Sequence, residues 1–275
     1  MRNNMKIRLL HRDDSFYGIN EFIRPVILIA KKKSVYIEIL CQILHIYNKV
    51  SNSTYSDIEA TLKLYEDFYF IDSSELEIYE YKKFSEKLLM FYWEVIEEAE
   101  SDDSMKRFNP EVYEKYNLGN KSCRFQRYRG IIFEYLISEL VKERFLDKLF
   151  GTGCRVYING QAIIIQYGEG NAEHKETFDV VGWEENSSYG EFYECKISPE
   201  RFKEENCKLF IELENVLSKQ KNTIYLLAFV SADAQNNFES KISLLEENGV
   251  RLPHIQLIGK ENIYGISKYT IPVTA

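Results

Sequence analysis

The chain has 275 residues, with 35 Lys and Arg against 43 Asp and Glu, giving a formal net charge of −8. That length allows one large domain or two modest ones, with a core big enough to fold without disulfide or metal staples. Hydrophobic residues at 45 % and charged residues at 28 % exclude a disordered, collagenous or fibrous chain, and the acidic balance excludes a uniformly basic nucleic-acid coat while leaving room for a local basic face.

The N-terminal stretch MRNNMKIRLLHRDD places charges where a signal peptide needs apolar residues. No later run approaches the roughly 18 to 20 apolar residues that a bilayer span needs. The cysteines (Cys41, Cys123, Cys154, Cys195 and Cys207) are odd in number and form no CxxC pair. This argues against a disulfide framework, a zinc ribbon or an iron–sulfur cluster. The expectation is a soluble, cytoplasmic protein without a membrane partner.

Up to about residue 105 the pattern is mainly helical. Ser56 and Glu59 read as a capping box, followed by Ile58, Leu62 and Tyr65 at helical spacing. A second long helix is expected over residues 74–99, with Leu76, Tyr79, Phe84, Leu88, Phe91 and Val95 as its apolar stripe. The acidic stretch at 101–104, Asn109-Pro110 and NLGN at 117–120 are loop signals, which suggests a helical module over 1–110 and a second domain over 111–275.

In the second part a helix is expected over about 122–150. Strands at 155–159 and 161–167 follow, joined by the two-residue turn Asn159-Gly160. Two more strands, 177–183 and 191–197, flank the turn-rich ENSSYG. Ser198-Pro199 then opens a helix reaching about 219. An apolar strand at 223–230, a helix at 238–248 and a strand at 255–258 complete the order. The fold class expected is mixed α/β, a central mixed sheet flanked by helices and preceded by the helical module.

Three acids stand in apolar surroundings. Glu134 is the sole residue of GIIFEYLI that carries charge at neutral pH, and Asp179 that of TFDVVGW. Glu194 and Lys196 share one face of EFYECKI, about 7 Å apart by strand rise. A carboxylate on such a surface must be protonated, paired or metal-bound, because burying it alone costs several kcal/mol or more. On a plain structural reading, Glu194 and Lys196 form an ordinary same-face ion pair, and Glu134 is held by Arg127 or Arg129.

A helix bearing Glu, a strand bearing Asp and a strand bearing Glu-x-Lys resemble the PD-(D/E)XK, or restriction-endonuclease-like, nucleases over about residues 121–260. The departure is Phe178, which stands where the family motif has Pro. The resemblance implies a restriction-endonuclease-like core and a Mg²⁺-dependent endonuclease, with Mn²⁺ as a substitute ion. It makes Asp179, Glu194 and Glu134 metal ligands and Lys196 the group that positions the attacking water. In the following helix, Lys203 and Lys208 are candidates for an auxiliary basic group.

Lys121, Arg124, Arg127 and Arg129, interleaved with Phe125 and Tyr128, suit a nucleic-acid groove or, equally, a solvated helix end. DNA is the expected substrate and RNA the second candidate. The helical module is expected to bind a protein partner or a second copy, and a restriction or anti-phage effector is the expected setting. A catalytically inactive nucleic-acid-binding or scaffold protein of the same fold is the alternative. No HExxH, GxSxG elbow or Walker A loop is present.

Overall fold

The structure, a computed structural model, describes residues 5–11, 19–51, 53–96, 110–115, 117–171 and 173–272. The contacts divide the chain into two compact units, Asp14–Leu136 and Met1–Asp13 with Ile137–Ala275.

The helical unit contains α1 (Ile19–Ala30), α2 (Ser34–Ile46), α3 (Thr54–Tyr69), α4 (Glu75–Ile96), α5 (Pro110–Lys115) and the first part of α6 (Lys121–Lys142). α2 is apolar almost all round and buries Tyr36, Ile37, Ile39, Leu40, Cys41, Ile43 and Leu44. Much of the aromatic content is used here: Tyr36 stacks on Phe84 at 5.2 Å and Phe70 on Tyr81 at 4.5 Å between centroids.

The capping box lies elsewhere than expected. α3 starts at Thr54, so Ser56 falls inside its first turn and donates to the Ser53 carbonyl. The reciprocal bonds occur at α4, where the Ser74 amide donates to Glu77 Oε2 at 3.2 Å and the Glu77 amide to Ser74 Oγ at 3.3 Å. The buried stripe of α4 is Tyr81, Phe84, Leu88, Phe91 and Tyr92, whereas Leu76 and Tyr79 are exposed.

The expected boundary at 110/111 moves to 136/137, within α6. Residues 110–115 and 117–136 group with the helical unit, and Arg129 Nε donates to the Leu44 carbonyl at 2.9 Å. Residues 5–11 join the sheet unit instead. The acidic stretch 101–104 lies outside the described residues. The NLGN turn is present, with Asn117 at φ 49° and Asn120 Oδ1 accepting from the Ser122 and Cys123 amides at the start of α6.

The sheet unit is built on β1 (Ile7–His11), β2 (Leu149–Ile158), β3 (Gln161–Ala162), β6 (Thr177–Glu184), β7 (Tyr189–Lys196), β8 (Ile224–Ser231) and β9 (Gln256–Ile258). They form one seven-stranded mixed sheet in the order β1-β2-β6-β7-β8-β9, with β3 also paired to β2. The pairs from β1 to β7 are antiparallel, and β7–β8 and β8–β9 are parallel. Helices α7 (Glu204–Leu217) and α8 (Gln235–Glu247) contribute Phe210, Leu213 and Phe238 to the same core as Phe178, Phe192 and Phe229. The mixed α/β class is therefore as expected.

Several boundaries differ for local reasons. The helix expected to reach 150 ends at Lys142 and a single 3-10 turn, because Leu149 and Phe150 already pair with Trp183 and Gly182. Asn159 and Gly160 both take positive φ, as a two-residue hairpin turn requires. The strand after it breaks at Ala162 and resumes as β4 (Ile165–Tyr167), which pairs with β5 (Glu173–Lys175) in a separate two-stranded sheet. Ser198-Pro199 opens only the turn Pro199–Arg201, before α7 starts at Glu204.

Candidate active site

The β6–β7 ladder runs from Glu184 opposite Tyr189 to Val180 opposite Tyr193, and there it stops. The next residues on the two strands are Asp179 and Glu194. With the backbones no longer paired, the Asp179 side chain takes up a main-chain donor: its Oδ2 accepts the Cys195 N–H at 2.7 Å. The Lys196 ammonium lies 2.7 Å from Glu194 Oε1 and 3.2 Å from Asp179 Oδ2. Three of the residues singled out in the sequence therefore meet.

Two more groups join them. Lys175 Nζ, at the end of β5, lies 3.0 Å from Glu194 Oε1, and Asn206 Nδ2, in the first turn of α7, donates to that oxygen at 2.6 Å. Glu194 is fully buried, and among the described residues its second oxygen, Oε2, has no hydrogen-bond partner. Burial would raise the Glu194 carboxyl, but Lys175 and Lys196 outweigh it and hold the group below its ordinary value. Asp179 moves the other way. Burial and then the Glu194 charge raise it, against the pull of Lys196 and Lys175. One acid is thus held charged and the other resists charging, an arrangement that a nearby cation would relieve.

Among the described residues, no group of three or more His, Cys, Asp or Glu side chains is placed to hold a metal ion. Magnesium needs less than that, since one or two carboxylates with water and phosphate oxygens commonly complete its shell. The hard oxygens of Asp179 and Glu194, with Glu194 Oε2 left over, fit this requirement. Glu134 is half-buried on the part of α6 that belongs to the helical unit, whereas the cluster is built wholly within the sheet unit.

Beside the cluster is a cleft of about 410 Å³, lined by Tyr167, Lys175, Lys196, Arg201, Lys203 and Asn206, with His174, Glu176, Thr177 and Glu205. Lys203, expected as an auxiliary base, is on its wall. Lys208 instead pairs with Glu204 one turn back, at 2.8 Å.

The basic stretch of α6 needs correction. Arg124 and Arg129 are each 4 % exposed. Arg124 Nη1 donates to the Leu118 carbonyl at 2.9 Å, and Arg129 donates to the Leu44 carbonyl and to Gln126 Oε1. Both guanidiniums close main-chain acceptors inside the helical unit and present no surface to a ligand. Phe125 and Tyr128 are buried too, so they are core rather than stacking platforms. Lys121 and Arg127 are half-exposed.

Sequence reasoning missed a second buried charge cluster, on the opposite face of β7. Glu191, fully buried, takes a two-pronged pair with Arg144, whose Nε lies 2.7 Å from Oε1, together with hydroxyl donors from Tyr189 at 2.9 Å and Tyr193 at 2.5 Å. Arg144 also donates to the Leu140 and Ile266 carbonyls at 2.9 Å, tying the C-terminal 3-10 turn (Lys260–Lys268) to the sheet. The available signal was alternation: Glu191, Tyr193 and Cys195 share the face away from Glu194.

No helix among the described residues is long and apolar enough to cross a membrane. No family model matches the sequence, and no curated protein matches it. Among solved structures, the crystal structure of protein VC1899 from Vibrio cholerae aligns with 95 % of this chain and 57 % of its own, at 13 % identity and a TM-score of 0.44. The chain therefore spans little more than half the length of that protein.

Proposed function

We propose that this chain is a metal-dependent nuclease of the restriction-endonuclease-like type, acting on phosphodiester bonds of nucleic acid. The observation that carries the reading is the meeting of Asp179, Glu194 and Lys196 where β6 and β7 part, beside a cleft rich in Lys and Arg. Asp179 and Glu194 would hold magnesium or manganese, and Glu134 plays no part in this proposal. When bound, the ion supplies Lewis-acid polarisation of a phosphoryl oxygen and charge stabilisation at the attacking and leaving oxygens.

The chain's own groups do the rest. Lys196, fixed by both carboxylates and by the Cys195 carbonyl at 3.1 Å, keeps an ammonium donor at the cluster that can orient the attacking water and offset developing negative charge. Arg201 and Lys203 supply sequence-independent attraction for phosphates entering the cleft.

The test is incubation with plasmid, linear duplex, single-stranded DNA and RNA in magnesium or manganese, beside Asp179→Asn and Lys196→Ala. Cleavage by the wild type, reduced at least about a hundredfold in both variants and stopped by EDTA, is expected. Cleavage that survives the variants or the chelator overturns the proposal.

One observation favours a second reading. Two ammonium groups, Lys175 and Lys196, face the two carboxylates, a cluster balanced in charge without an ion. A non-catalytic nucleic-acid binder of the same fold would keep that balance. It would bind with salt-dependent affinity and no metal requirement.

A further inference from the structure

The two lysines on Glu194 are mounted differently. Lys196 lies within the seven-stranded sheet and is held again by Asp179 and the Cys195 carbonyl. Lys175 is the last residue of β5, in the two-stranded β4–β5 sheet, and reaches Glu194 Oε1 at 3.0 Å from the cleft wall that Lys196 also lines. A lysine stem has four rotatable carbons and carries a compact point charge. Lys175 is therefore the one that can exchange Glu194 for a partner in the cleft without disturbing the main sheet.

We propose that Lys175 is a second functional lysine, which partitions between Glu194 and a phosphate of a single nucleic-acid strand in the cleft. Phosphate in the cleft and a divalent cation at Asp179–Glu194 then favour each other. The inference rests on the nuclease reading and names its substrate class. Its physical basis is charge competition: an ammonium at salt-bridge distance opposes a dication on the same carboxylate. A phosphate that draws Lys175 away removes that opposition, and linkage makes the effect reciprocal.

The cleft indicates a strand rather than a duplex. Its volume of about 410 Å³ is of small-ligand size, enough for a nucleotide unit. Tyr167 offers one aromatic ring on the wall, with Arg201 and Lys203 for the backbone charge.

The experiment uses the full chain as wild type, Lys175→Met, Lys175→Arg and, as a control outside the cleft, Lys208→Met. Free manganese is followed by electron paramagnetic resonance in the absence of nucleic acid. Separately, a short fluorescent single strand and the matching duplex are titrated by anisotropy in EDTA. Lys175→Met is expected to bind manganese about tenfold more tightly and the single strand about tenfold more weakly. Lys208→Met should follow the wild type, and Lys175→Arg, which keeps the charge, should recover most of the strand affinity that Lys175→Met loses.

If thermal melting shows Lys175→Met to be unfolded, Lys175→Gln, which keeps a donor for Glu194, carries the same expectation. Equal manganese affinity in wild type and variant, or tighter manganese with undiminished strand binding, overturns the role of Lys175. Duplex bound as tightly as the single strand overturns the substrate class. Absence of manganese binding in every form removes the nuclease reading itself, and this role with it.

Discussion

Glu194 concentrates three donors on one oxygen and leaves the other without any, and the neighbouring Asp179 bears the electrostatic consequence. Because the Asp179 carboxyl is raised, its contribution to stability is present below the unfolded value near 3.8 and is lost as pH rises through the higher folded value. Ionising this carboxyl therefore costs more in the folded protein than in the unfolded chain. Asp179→Asn, which keeps an acceptor for the Cys195 amide, is expected to melt at or above the wild-type temperature at neutral pH while losing cleavage. A lower melting temperature in scanning fluorimetry would contradict this.

Asp179, Glu194 and Lys196 were legible in the sequence because an ionisable group in an apolar run is expensive and must be compensated. Arg124 and Arg129 misled for the opposite reason. Residue type says nothing about which carbonyl a long guanidinium will reach, and these two reach Leu118 and Leu44. Lys175 had no local signal at all, since its role depends on β4 and β5 closing into their own small sheet.

At the scale of elements, the strands that frame the site were readable because their turns are. Asn159-Gly160 separates β2 from β3 and the ENSSYG stretch separates β6 from β7, although Tyr189 and Gly190 at its end already belong to β7. The end of α6 was not readable, because Leu149 and Phe150 prolong the apolar pattern of the helix and only pairing with β6 turns them into strand. β1 gave no signal either. Its five residues, IRLLH, interrupt apolar positions with charge and become a strand only against β2.

The capping box of α4 yields a prediction at this scale. Bonds from the Ser74 amide and hydroxyl, with Lys33 adding charge, lower the Glu77 carboxyl. The stabilisation is present above the unfolded value near 4.5 and is lost as pH falls through the lower folded value. Ser74→Ala should cost about 1 kcal/mol in urea unfolding at neutral pH, with the difference from wild type shrinking in acid. A difference independent of pH would show that the Ser74 hydroxyl acts by accepting the Glu77 amide and not by donating to the Glu77 carboxylate.

At the scale of the whole molecule, the helical unit is inserted in sequence between β1 and the rest of the sheet unit. β1 is the edge strand over β2, pairing Ile7 with Ile158 through His11 with Cys154. Removing residues 1–11 would uncover the β2 edge, where Val156 and Ile158 belong to the core. The truncated protein is expected to lose stability and to self-associate, visible as a lower melting temperature and an earlier peak in size-exclusion chromatography. A monomer of unchanged stability would show that β1 is dispensable.

The same pairing sets a timetable for synthesis. About 140 residues separate His11 from Leu149, so at 5–20 residues per second the ribosome takes roughly seven to thirty seconds to deliver the partner of β1. Throughout that interval the helices can form while β1 waits without the strand it pairs with. Brevity and the charge of Arg8 are what this segment has to discourage premature company.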